Sequence, residues 1–351
     1  MRIVIATDAW HPQVNGVVRT LESLNREATR LGCQVYMITP QDFRHLPCPT
    51  YPEIRLALPA RRRLERTLAH MRPDAIHIAT EGPVGLAVRR WCLHRQLPFT
   101  TAFHTNFPEY VALRTGVPAS WLYPAIRRFH RPSAGVMVST PAMAGKLGEI
   151  GIPHCRLVPR GVDTDLFRPR EDARSGPPRP VALYVGRLAV EKGVEAFLAL
   201  DLPGSKLVVG DGPARADLER RFPDARFTGT LTGEALAEAY ASADVFVFPS
   251  QTDTFGLVIL EALASGCPVA AYPVRGPLDI IAADGCGASL RSQRPVGCLD
   301  ADLRAAVMRA LDCRRDDCTA FAADFSWSRC GEAFLEMLQP LRSTAADTAV
   351  A

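Results

Sequence analysis

The sequence predicts an α/β protein made of two doubly wound, parallel-sheet domains in tandem, facing each other across a cleft. Three observations lead there. Short apolar runs alternate with amphipathic segments from end to end, which is the rhythm of βα units. The stretch RPREDARSGPPRP interrupts that rhythm with prolines and charges and almost no large apolar residue, as linkers do. The 351 residues are more than one domain of roughly 100 to 200 residues takes.

Taken in order, the first apolar run, Arg2–Thr7, reads as a strand and the amphipathic Gly16–Leu31 as a helix. Strand Gln34–Thr39, a helix near Arg61–Met71, strand Asp74–Ile78, helix Val84–Arg95 and strand Pro98–Phe103 follow. Helices over Asn106–Arg131, strand Gly135–Ser139, helix Ala142–Ile150 and strand Arg156–Val158 complete the first series. Unbroken short apolar runs are the signature of a parallel sheet buried on both faces. The second series has strands at Val181–Val185, Lys206–Val209, Arg226–Thr228, Asp244–Phe248 and Pro268–Ala271. Between them lie helices at Lys192–Ala199, Ala214–Arg221, Gly233–Ser242 and Gly256–Ser265. Helices near Leu299–Leu311 and over Cys318–Asp324 precede a last amphipathic helix, Ser328–Leu341. The expected divisions are a first domain 1–167, a linker 168–180, a second domain 181–325, a closing helix 326–342 and a frayed tail 343–351.

Composition excludes whole classes of function. With 47% hydrophobic and 22% charged residues, the chain is neither disordered nor a coiled coil. No apolar run reaches the roughly 18 to 20 residues of a membrane span, because Asp253 and Glu261 break the best one. MRIVIATDAW carries no cleavage pattern and reads as a first strand rather than a leader, so export is not expected. The ten cysteines are scattered without any C-x-x-C pair, which fits reduced thiols in the cytoplasm. Charge divides unevenly: residues 1–160 hold 21 Lys+Arg against 10 Asp+Glu, and the remainder is net acidic. The excess clusters at Arg61, Arg62, Arg63 and Arg66, at Arg89 and Arg90, and at Arg127, Arg128 and Arg131. The runs lack interleaved aromatics, so nucleic acid is not the expected partner. A solvated helix face or an anionic membrane surface accounts for them.

Ligands of open α/β sheets bind at the carboxyl ends of strands, so chemistry is expected in the loops there. GRLAVEKG, Gly186–Gly193, follows the opening strand of the second domain and sets Arg187 and Lys192 around a helix N-terminus, a natural place for a phosphate. PSQTDTFGLVILEALASGCPV, Pro249–Val269, presents Asp253 in a loop, then Phe255, Gly256 and Leu257 at a helix opening, then Glu261 among apolar neighbours. A carboxylate in such surroundings needs a specific partner, which paired ribose or sugar hydroxyls would supply. In the first domain, FHTNFPEY puts His104 at a strand's carboxyl end, able to donate a hydrogen bond to a reacting group. DAWHPQVNGVVRT puts Gly16 where backbone can approach a ligand closely. Asp163-Thr164-Asp165 resembles a D-x-D metal motif but reads here as loop and cap chemistry.

RGVDTDLFRP, YVGRLAVEKG, VGDGP and the FGLVILEALASGCPV block resemble retaining glycosyltransferases of the GT-B fold, specifically glycosyltransferase family four (group 1). The likeness runs in register from NGVVRT to FSWSRCGEAF, which resembles the family's C-terminal helix crossing back to the first domain. The resemblance implies a nucleotide-sugar donor held by the second domain, an acceptor held by the first, retention at the anomeric carbon, and no metal or other cofactor. Carried over by motif, Arg187 and Lys192 would bind the diphosphate, aided by the amides of Phe255, Gly256 and Leu257. Glu261 would hold the ribose, Asp253 would contact the donor sugar, and His104 would lie near its reacting face. Gly16 would let the first loop close on the donor. Asp253 departs from the family's usual Glu by one methylene. HTNFPEY and NGVVRT look most like members that glycosylate lipids such as diacylglycerol or phosphatidylinositol, with UDP-glucose, UDP-glucuronate or GDP-mannose as donor. A peripheral enzyme on the inner face of the cell membrane would fit the basic first half.

Three other readings compete. A nicotinamide-dependent oxidoreductase should carry G-x-G-x-x-G after a first strand, and Gly210-Asp211-Gly212 followed by Pro213 is a poor match. A sugar-nucleotide epimerase and a silent nucleotide-sugar binding module share the architecture. Transfer to a soluble sugar or polysaccharide precursor is the nearest alternative within the family.

Overall fold

A computed structural model describes residues 1–13, 15–48, 51–104, 106–170, 172–174, 177–251, 255–281 and 294–341. Asp253 and the tail at 343–351 lie outside the described residues. The chain forms two compact units. The first holds Met1–Pro108, Pro118–Pro159 and the chain from Ser328 on, and the second holds Glu109–Val117 and Arg160–Trp327.

The first unit begins with β1 (Arg2–Ala6), α1 (Gly16–Arg30) and β2 (Gln34–Ile38). Ile3, Val4 and Ile5 are wholly buried, as a strand covered on both faces requires. On α1 the buried Val18, Leu21, Leu24 and Ala28 form one stripe. A hairpin follows, β3 (Arg44–Cys48) antiparallel to β4 (Tyr51–Leu58), in a segment where no strand was expected. Pro47 and Pro52 mask it. The register pairs Leu46 with Leu56 and Arg44 with Leu58. Leu46, Leu56 and Leu58 are exposed whereas Ala57 is buried, so the hairpin turns an aliphatic face outward. Next come α2 (Arg61–Met71), β5 (Ala75–Ile78), α3 (Pro83–His94) and β6 (Thr100–Ala102). The expected helical stretch to Arg131 divides into α4 (Phe107–Thr115), most of which belongs to the second unit, and α5 (Tyr123–His130). Gly116 and Pro118 separate them, Gly116 with φ +73°. The series closes with β7 (Gly135–Val138), α6 (Pro141–Glu149) and β8 (Cys155–Leu157), and the parallel sheet runs β2-β1-β5-β6-β7-β8.

The second unit runs β9 (Val181–Val185), α7 (Val194–Leu198), β10 (Ser205–Val209), α8 (Arg215–Arg221), β11 (Arg226–Gly229), α9 (Gly233–Ser242) and β12 (Val245–Phe248). It continues with α10 (Leu257–Ala264), β13 (Val269–Ala271), α11 (Arg275–Ile281), β14 (Gly297–Leu299), α12 (Leu303–Ala310) and α13 (Arg315–Ala322). The sheet order is β11-β10-β9-β12-β13-β14. Leu183 and Val185 pack on one face and Ala182 and Tyr184 on the other. Leu299, expected to begin a helix, instead ends the strand Gly297–Leu299, which pairs with β13 and extends the sheet. The last helix, α14 (Trp327–Met337), returns to the first unit, where Phe334 sets its ring edge-on 5.2 Å from His77.

Both sheets pin one pair of neighbouring strands by the same device. Asp74, just before β5, accepts a hydrogen bond from the Arg2 amide at 2.7 Å and is paired with the Arg2 guanidinium. Asp244, just before β12, accepts from the Val181 amide at 2.7 Å and pairs with Arg179. In each sheet the strands so joined, β1 with β5 and β9 with β12, are those at which strand order reverses.

Candidate active site

The reversal between β9 and β12 makes a crevice at their carboxyl ends, where open sheets take ligands. The loop after β9, Gly186–Gly193, is held backbone to backbone by the loop after β10. Leu188 N donates to Asp211 O (2.9 Å) and Ala214 N to Leu188 O (3.0 Å). A Cβ on Gly210 would lie 1.9 Å from Gly186 O, and one on Gly212 2.4 Å from Leu188 O. The two glycines of the G-x-G therefore serve this packing, not a dinucleotide. Tyr184 Oη adds a bond to Arg187 O at 2.9 Å.

Arg187 and Lys192 both sit half-buried on this braced loop. The helix expected from Lys192 is a 3-10 turn, Val190–Lys192, followed by the five-residue α7. Gly193 between them has φ +64°, and its Cβ would lie 2.7 Å from Pro249 O. Glycine here lets the β9 loop lie against the loop after β12, and Ser250 Oγ reaches Glu191 O at 3.5 Å. Two motifs far apart in the chain thus meet at one sheet end.

After β12, Phe255 is buried in the core, and Gly256, in the left-handed region at φ +95°, opens α10 without any side-chain cap. The first amides of α10 are therefore not taken by a capping side chain. The contrast with α1 is clear. Asn15 Oδ1 there accepts from both Val17 N and Val18 N at 3.0 Å, beside an exposed Gly16. Leu257 is half-buried, and Glu261, one turn further, is 6% exposed. Its Oε2 accepts from Tyr240 Oη at 2.9 Å. Tyr240, wholly buried on α9, stands edge-on to Phe167 and Phe246. The sequence showed that Glu261 needed a partner, but Tyr240 lies 21 positions away on another helix.

In the first unit His104 follows β6 and is half-buried. Two carboxylates that the sequence reading passed over lie at neighbouring strand ends. Asp8, after β1, accepts from Val84 N (2.7 Å), Gly85 N (3.2 Å) and Thr80 Oγ1 (2.9 Å). Burial pushes its carboxyl above the usual value, against the pull of those bonds. Glu81, after β5, has Oε1 3.1 Å from Nε2 of the buried His130. Their only sequence signal was position at the end of an apolar run.

Among the described residues, no three His, Cys, Asp or Glu side chains gather as a metal site. Asp163 of the D-x-D run accepts from Leu166 N at 3.1 Å, a turn contact. No helix among the described residues is long and apolar enough to cross a membrane.

The family model for Glycosyltransferase Family 4 matches residues 14–166, and that for Glycosyl transferases group 1 matches residues 179–306. The sulfoquinovosyl transferase SQD2 of Arabidopsis thaliana is 33% identical over 77% of this chain, which spans 59% of that protein's length. A GDP-mannose-dependent alpha-mannosyltransferase of Mycobacterium tuberculosis is 32% identical over 85% of this chain and 84% of its own. Among solved structures, sucrose-phosphate synthase from Thermosynechococcus elongatus superposes with a TM-score of 0.75 at 22% identity, covering 96% of this chain and 98% of that one. The shared architecture is GT-B.

Proposed function

The chain belongs to glycosyltransferase family 4, an enzyme family that transfers hexosyl groups, and we propose that this member moves the sugar of a nucleotide diphosphate to a hydroxyl of a membrane lipid. The observation that carries the donor half is the meeting of the braced Gly186–Gly193 loop with Pro249 and Ser250, at the start of the segment that leads to the uncapped α10. Breaking the bond from the anomeric carbon to the diphosphate leaves negative charge on the departing oxygen. Arg187, Lys192 and the amides of Phe255, Gly256 and Leu257 are the groups that stabilise it, preorganised and without a metal in this reading. Glu261, fixed by Tyr240, takes the ribose hydroxyls. His104 and Asp253 attend the transferred sugar, and Gly16 allows the first loop to approach it. The family relation supports retention at the anomeric carbon.

The lipid half rests on the surface of the first unit. The outward Leu46, Leu56 and Leu58 lead within two residues into α2, where Arg61, Arg62, Arg63 and Arg66 are exposed. Aliphatic side chains that enter an interface beside arginines that meet anionic headgroups make a peripheral membrane contact. The inner face of the cell membrane is the location proposed.

A donor-by-acceptor screen tests both halves: UDP-glucose, UDP-glucuronate, UDP-galactose or GDP-mannose, each with diacylglycerol, phosphatidylinositol or a soluble sugar. Nucleotide release with a glycolipid product is the expected result. Turnover with soluble acceptors alone would retain the transferase and remove the lipid. Product from the donor alone would favour an epimerase.

A further inference from the structure

The rule that selects the donor loops in the second sheet selects a site in the first as well. Strand order reverses there between β1 and β5, so the loops after these strands flank the crevice. Asp8, after β1, already accepts from the α3 amides and Thr80, which occupies its carboxylate with holding the helix. Glu81, after β5, is placed differently. Its side chain is 22% exposed, so it reaches solvent, while His130 behind it is 0% exposed. One oxygen, Oε1, meets His130 Nε2 at 3.1 Å. Its Oε2 has no hydrogen-bond donor among the described residues. β5 pairs in parallel with β6, Ile78 opposite Thr101, so the loops that carry Glu81 and His104 follow neighbouring strands.

The bonds behind Glu81 leave little freedom. Ser133 Oγ donates to His130 O at 2.7 Å and therefore accepts from Thr101 Oγ1 at 3.3 Å. Thr101 Oγ1, its proton spent, accepts from His130 Nδ1 at 2.9 Å. On the other side of the ring, Nε2 faces Glu81 Oε1. The imidazole ring is further fixed edge-on by Phe103 and Phe129. A carboxylate gripped through one oxygen by a buried, oriented ring presents the other in a fixed direction.

We propose that Glu81 accepts the hydrogen bond of the acceptor's hydroxyl, and that His130 is the positioning residue behind it. The role rests on the transfer reading given above, with the donor held by the second unit.

Wild type, Glu81→Gln, His130→Gln and the double variant are compared using GDP-mannose and UDP-glucose as donors. The acceptors are phosphatidylinositol or diacylglycerol in phosphatidylglycerol vesicles, and octyl glucoside. Calorimetry with GDP and UDP follows the nucleotide site separately, and thermal unfolding follows the fold. Glu81→Gln should lower kcat/KM for the acceptor about 10- to 100-fold, as loss of a hydrogen bond to a charged group does, with nucleotide Kd within about twofold. His130→Gln should show the same split, and in the Glu81→Gln background should add little, because the two act as one unit. Unchanged acceptor kinetics in Glu81→Gln, or an equal loss of nucleotide affinity, would overturn the role of Glu81. Additive effects would overturn that of His130. A wild type that binds nucleotide yet turns over none of these acceptors would overturn the transfer reading itself.

Discussion

A single residue decides most at the donor site where its charge or hydrogen bonds have no substitute. Lys192 on the braced β9 loop and Glu261 on α10 answer to different parts of the donor. Lys192→Ala removes a cation from the departing diphosphate, and Glu261→Ala removes the ribose carboxylate together with its hydrogen bond from Tyr240 Oη. Each should lower kcat/KM for the donor by about 100-fold while the protein still unfolds cooperatively. Wild-type kinetics in both variants would remove this site. His104→Ala should cut turnover and spare nucleotide affinity, since the imidazole is assigned to the transferred sugar; a loss of affinity equal to the loss of turnover would mark it as structural. Glu261 also shows where sequence reading stops. Its apolar neighbours revealed that it needed a partner, but the identity of that partner depended on how α9 packs on α10.

The elements carry their own consequences. Gly193 adopts φ +64° against Pro249 O, so Gly193→Ala meets both an unfavourable backbone region and a carbonyl 2.7 Å from the new Cβ. Urea denaturation should register a loss of about 1–3 kcal/mol, with a parallel fall in donor affinity as the two loops separate. The strand-pinning Asp74 gives a pH signature. The hydrogen bonds from Arg2 hold the Asp74 carboxyl below the usual carboxylate range. A depressed value in the folded state means that the stabilisation is full above the unfolded pKa, about 3.9, and is lost as pH falls through the lower folded value. Asp74→Asn should therefore lower Tm at neutral pH and flatten its decline in acid. A parallel decline in variant and wild type below about pH 4 would contradict this.

At the scale of the whole molecule, the asymmetry of charge is the property that predicts behaviour. Reversing Arg61, Arg62, Arg63 and Arg66 to Glu should abolish binding to phosphatidylglycerol vesicles, and raising the salt should weaken the wild type in the same direction. Leu46→Ser with Leu56→Ser and Leu58→Ser should weaken binding even at low salt, because burial of aliphatic surface does not depend on screening. Nucleotide affinity should be unaffected by either set. Vesicle binding indifferent to both would leave these residues as an ordinary solvated surface.

The sequence by itself determined the two series of βα units and the loops that carry Arg187, Lys192, Phe255, Gly256, Leu257 and Glu261. Each of these is written in a local pattern, an apolar run or a spacing of a few residues. The β3–β4 hairpin was not legible, since its prolines oppose a strand and only pairing across the turn favours one. β14 was hidden for a similar reason, three residues whose strand character exists only beside β13. Tertiary structure alone decided that Gly193 meets Pro249, that Tyr240 holds Glu261 and that His130 holds Glu81. These contacts join positions separated by 21 to 56 residues, and their free energy comes from excluding water around groups that no local pattern brings together.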